Sequence, residues 1–151
     1  MGGWSLIKSF LAIVEHMKKQ HREMVNTRKL YALEEWMYHN RTFKPLTRQR
    51  PIGTLIELAE LIWREEKIEK PLPCISFGPG ISHGNELYSW CDGTEIELAK
   101  GQRDVLVMIH ELVHAMGYPY HDKKFLAEYI YLLVTYTPMK PHNILAAFST
   151  L

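Results

Sequence analysis

The chain has 151 residues, 46% hydrophobic and 11% aromatic, a composition that suits a soluble globular domain with a sizeable core and excludes a disordered one. Eighteen Lys and Arg against 17 Asp and Glu leave a net charge of +1, so no overall field recruits nucleic acid or an anionic membrane. Cys74 and Cys91 are the only cysteines and make no disulfide framework, so a reduced, cytoplasmic setting is the default.

Ile7, Phe10 or Leu11, Val14, Met17, His21 and Met24 recur at helical spacing and predict an amphipathic helix over about residues 4–25. Lys8 interrupts the apolar run, no basic residue precedes it and no small-residue cleavage site follows, which argues against a secretion signal. The sixth position is Leu6, where a myristoylation signal wants Ser or Thr. This helix is read as core-packing or oligomer-forming, and no run is long enough to span a bilayer. A second helix is expected over about residues 28–39, with Leu30, Leu33 and Met37 on one face.

Residues 40–52 read as a connector with Pro45 and Pro51. Its basic run of Arg41, Lys44, Arg48 and Arg50 fits a solvated loop better than a contact for a phosphate backbone. A third helix is expected from Thr54, because Thr54-x-x-Glu57 has the form of a capping box. Leu55, Leu58, Ala59 and Ile62 give it an apolar stripe, and Pro71 and Pro73 close it off.

The middle of the chain changes period. Cys74–Phe77 is strand-like and ends at Gly78-Pro79-Gly80. Residues 86–91 and 94–99 flank Asp92-Gly93, a hairpin signal. Ile96 and Leu98 alternate with Glu95 and Glu97, which gives that strand one buried and one wet face. Residues 94–99 are expected at a sheet edge, where an extended peptide would add as a further strand. His83, in a glycine-rich loop, and Cys91, in the hairpin, lack companions at ligand spacing.

A helix expected over about residues 103–116 carries the chemistry. From Val105 to Met116 every residue is apolar except His110, Glu111 and His114. A helix apolar on nearly all sides is buried, and a buried carboxylate with two imidazoles is costly unless paired or metal-bound. His110 and His114 are one turn apart on one face, Gly117 is placed to end the helix, and His121 follows within reach of the same point. That is the pattern of three zinc ligands with a fourth position for water, with Glu111 as general base and then acid. Tyr118 and Tyr120 are candidate oxyanion donors by proximity, with packing or loop roles as the plainer reading. Asp122 is either a partner for a ligand imidazole or the cap of a last long helix, Lys123 to about Tyr136, stopped by Pro138. Glu128 is the alternative third ligand, Met139 reads as a core methionine, and His16, His21, His39 and His142 read as ordinary helix or surface histidines.

The motif and the order of elements resemble the zincin metallopeptidases. Metzincin spacing would put the third histidine at position 120, where this chain has Tyr120. The segment His121-Asp122-Lys123-Lys124-Phe125 is closer to the SprT-like zincins, whose third histidine is followed by a short polar step and a Phe. Within that neighbourhood the chain is most similar to small metallohydrolases of actinobacteria and bacteriophages. The similarity rests on Arg28-Lys29-Leu30-Tyr31-Ala32-Leu33-Glu34, the proline-flanked strand at 73–77, and His110 through Phe125. The usual Gly-Pro after the third histidine is Asp122-Lys123 here.

The resemblance covers about residues 28–136 and implies a zincin fold of the α/β (α+β) kind; the chain is read as one zincin-like domain over 1–151, with 1–27 as an N-terminal helical extension outside the shared region. N-terminal helices, a small mixed sheet with a hairpin edge strand, the His-Glu-x-x-His helix and a C-terminal helix make up the expected fold. The expected activity is Glu-assisted attack of zinc-bound water on a peptide or amide bond, with a peptide or protein as substrate. The N-terminal helix would serve a homo-oligomer or a phage or host protein partner, in the host cytoplasm or the virion; no membrane and no nucleic acid are expected. Two other readings stand beside it, a zinc-stapled binding or assembly module and a nucleic-acid-associated SprT-like protease.

Overall fold

The computed structural model describes residues 25–151, and the expected first helix, with His16 and His21, lies outside the described residues. The architecture is mixed α and β, and the contacts divide it into two compact units: the residues through Pro45 together with Tyr120–Leu151, and Leu46–Pro119.

In the first unit, helix α1 (Thr27–Tyr38) begins where the Asn26 side chain accepts from Lys29 N–H at 3.2 Å. It buries Leu30, Leu33 and Met37, the face read from the sequence. The expected connector is not a loop throughout. A 3₁₀ turn (Arg41–Phe43), capped by Asn40, runs into a single helical turn, α2 (Lys44–Thr47). Phe43 and Leu46 are buried there, so apolar burial folds the segment while Arg41, Lys44 and Arg48 stay exposed. The long helix near the C-terminus, α5 in chain order, spans Lys123–Tyr136. It is followed by one the sequence reading did not foresee, α6 (Pro141–Phe148). Pro141 suits a helical first turn, where its missing N–H costs nothing, so proline starts this helix instead of marking the end of structure. Tyr129 donates its hydroxyl to Glu34 Oε2 at 2.8 Å, tying α5 to α1 through a buried polar pair.

The second unit opens with α3 (Ile52–Glu65), which starts two residues before the expected Thr54. Pro51 is its cap and no side-chain cap bond forms, so the Thr54–Glu57 capping box is not used. Proline's fixed φ, here −59° with ψ at 150°, leaves its carbonyl free to accept the first helical bond, from Leu55 N–H. Leu55, Ala59, Ile62 and Trp63 are buried, and Trp63 Nε1 donates to Lys70 O at 2.6 Å where the chain turns toward the sheet.

Strand β1 (Cys74–Phe77) leads to a hairpin of β2 (Ile81–His83), in the segment expected to be a glycine-rich loop, and β3 (Glu86–Tyr88), the first part of the strand expected over 86–91. Strand β4 (Trp90–Cys91) then returns into β5 (Glu95–Leu98). At this turn Asp92 Oδ1 accepts from Thr94 N–H, Glu95 N–H and the Thr94 hydroxyl at 2.8–3.0 Å.

The sheet order is β1-β5-β4. Strand β5 pairs with β1 in parallel, Cys74 with Glu95 through Phe77 with Leu98, and with β4 antiparallel. It is therefore the central strand, which corrects the expectation of a sheet edge at 94–99. Ile96 and Leu98 are wholly buried, and a strand with that apolar alternation gains most from neighbours on both sides. Its supposedly wet face is partly used as well, since Glu97 Oε2 accepts from Trp90 Nε1 at 2.8 Å and from Gly80 N–H at 2.9 Å. Helix α4 (Val105–Met116) packs on α3, β4 and β5.

Candidate metal centre

Two local devices fix α4 at its ends. At the start, the fully buried Asp104 caps the helix: Oδ1 accepts from Val107 N–H at 2.9 Å and Oδ2 from Gln49 Nε2 at 3.2 Å. Gln49 Oε1 also accepts from Arg103 N–H at 2.9 Å, and Arg50 N–H donates to Arg103 O at 2.8 Å, so the loop before the helix is held from two sides. At the far end Gly117 has φ +117° and ψ 22°. Its N–H bonds His114 O and that of Tyr118 bonds Val113 O, satisfying carbonyls the helix would leave open.

This reversal brings Tyr118 O to 2.8 Å from His114 Nδ1. A carbonyl only accepts, so Nδ1 carries the hydrogen of the neutral ring and Nε2 keeps its lone pair for a ligand. His110 is buried, His114 is half-buried, and their rings lie 5.1 Å apart. Seven residues past His114 along the same stretch of chain, His121 completes the group. One ring nitrogen from each of His110, His114 and His121 lies within 4.8 Å of the others. The three histidines are thus close enough to hold a metal ion. Three neutral imidazoles suit a borderline ion such as zinc, whose tetrahedral bonds of about 2.0–2.1 Å need donors roughly 3.4 Å apart.

The grouped donors include His121 and not Glu128, the alternative offered by the sequence. Glu111, buried beside His110, is also outside the ligand set. Asp122 serves as the cap of α5, its Oδ1 accepting from Phe125 N–H at 2.9 Å. The carbonyl that bonds the His114 ring is that of Tyr118, and this backbone role was not foreseen. Tyr118 is half-buried, whereas Tyr120 is 66% exposed. His39 is exposed and bonded to Glu35, His83 packs on Tyr88, and His142 is exposed.

Three further residues border the site. Cys91, on β4, is close enough to Glu111 for their charges to interact. Burial pushes its thiol above the ordinary value, the negative charges of Glu111 and Asp92 add to this, and the Gly93 N–H bond to Sγ offsets part of it. Tyr31 and Phe125 place their rings edge-on to His121, at centroid distances of 5.6 and 4.9 Å. Phe125 lies four residues from His121 in the segment already singled out, whereas Tyr31 and Cys91 are far along the chain from the groups they meet, where spacing rules do not reach.

Comparisons with protein families, with curated proteins and with solved structures find no match to this chain. Among the described residues no helix is long and apolar enough to cross a membrane.

Proposed function

We propose that the chain is a zincin-like, zinc-dependent hydrolase, a metallopeptidase that cleaves a peptide or other amide bond. The observation that carries this reading is the convergence of three histidine nitrogens within 4.8 Å, with a buried carboxylate on the same helix that stays outside the ligand set. A purely structural zinc site is normally closed by four protein ligands, whereas three leave a position for water or substrate. When bound, zinc supplies a Lewis acid that polarises a carbonyl and lowers the pKa of water toward neutrality.

The chain's own residues supply the rest. His110, His114 and His121 hold the ion, with His114 oriented through Tyr118 O. Glu111 accepts the proton of the attacking water and passes it to the leaving amine, so that the C–N bond breaks with a neutral product. Burial of α4 keeps bulk water from competing for that carboxylate.

Glu111→Gln tests the proposal. The variant should bind zinc as the wild type does and lose about 10²–10⁴-fold in turnover of a peptide library. Equal inertness of both proteins on every substrate, with zinc still bound and its removal unfolding the chain, would point instead to a stapled binding module.

A further inference from the structure

We propose that Tyr31 and Phe125 are positioning residues for the third metal ligand, two aromatic walls that set the His121 ring for metal binding. The proposal rests on the metal reading above and adds to it an element, α1, that carries no ligand of its own.

The three histidines differ in how they are held. His110 and His114 share a helix, and the ring of His114 has a carbonyl partner as well. His121 lies outside the helices, just before the cap of α5. Its backbone is anchored, since its carbonyl accepts from Val25 N–H at 3.0 Å immediately before α1. The imidazole still has two side-chain torsions to settle.

Two neighbouring rings bear on both. Tyr31 meets the imidazole at 81° between planes and Phe125 meets it at 80°, both in the edge-to-face arrangement that aromatic quadrupoles favour. Phe125 is fully buried and cannot move aside. It contacts Tyr129 in turn, whose hydroxyl is bonded to Glu34, one turn of α1 beyond Tyr31. Both walls therefore stand on the pair of helices that this buried bond ties together. A ligand so confined loses little rotational freedom on binding metal, which raises affinity without adding a bond.

The test is zinc affinity of the full chain, measured by competition with a chromophoric chelator, together with the visible spectrum of the cobalt-loaded protein. Tyr31 is 44% exposed, so Tyr31→Leu removes a wall without opening the core. It should weaken zinc binding about tenfold, the usual cost of losing a group that orients a ligand, and should alter the cobalt spectrum at saturation. Tyr31→Phe keeps the ring and should restore both readouts. Trp36→Leu, an exposed aromatic elsewhere on α1, should change neither. Wild-type affinity and spectrum in Tyr31→Leu would overturn the proposal. So would a Tyr31→Phe protein as weak as Tyr31→Leu, since the hydroxyl would then be acting in place of the ring. A wild-type chain that binds no zinc would instead overturn the metal reading itself.

Discussion

Replacing Gly117 with alanine should damage the fold and the metal centre by separable amounts. The residue holds φ at +117°, well beyond the left-handed region that non-glycine residues occasionally enter. Placing a side chain even in that region costs about 1–2 kcal/mol, and the larger φ puts the expected loss at the upper end. The new Cβ would also approach Lys70 Nζ to 3.3 Å, a minor addition because a lysine tip can withdraw. For a chain of this length about 2 kcal/mol lowers the melting temperature by roughly 4–8 °C, measurable on the metal-free protein. The second loss arises because the Gly117 turn delivers Tyr118 O to His114 Nδ1. If the turn relaxes to relieve φ, that bond lengthens and the ring loses its fixed tautomer, for about a further tenfold in zinc affinity. Calorimetric melting without metal and chelator competition with it separate the two terms. Gly117→Asn should recover part of both, since asparagine tolerates positive φ better than alanine. A Gly117→Ala protein that melts and binds zinc like the wild type would refute the claim that this turn is strained and that it orients His114.

Three further outcomes are expected. Asp104→Ala should cost about 2–3 kcal/mol in urea unfolding, because it removes the cap of α4 and the acceptor of Gln49, while Asp104→Asn should cost less. The raised pKa of Cys91 leaves less thiolate at any pH below it, so at about pH 8 iodoacetamide should label exposed Cys74 first. Glu111→Gln removes one of the charges that raise that pKa and should therefore speed Cys91 labelling, read by peptide mass spectrometry.

What was legible in the sequence follows from how far apart the interacting groups lie along the chain. His110 and His114 could be paired by eye because helix geometry alone aligns residues four apart, and Gly117 and Asp122 because end and cap signals act within a few residues. Thr54 misled for a related reason: two local signals stood three residues apart, and the rigid Pro51 set the helix start before the side-chain box could form. The centre of the sheet was out of reach. The β1–β5 pairing joins residues about twenty apart in parallel, and the alternation at 95–98 reads the same for an edge and a central strand. Within the site, the contacts made by the histidine rings divide the same way. Tyr118 acts on His114 through a backbone carbonyl, which any residue supplies, so residue identity at 118 carries no trace of the role. Tyr31 acts on His121 from ninety residues away, where no periodicity applies. The grouped histidines were visible because they are local and chemically distinctive. The groups that contact their rings lack one property or the other, and only the folded arrangement identifies them.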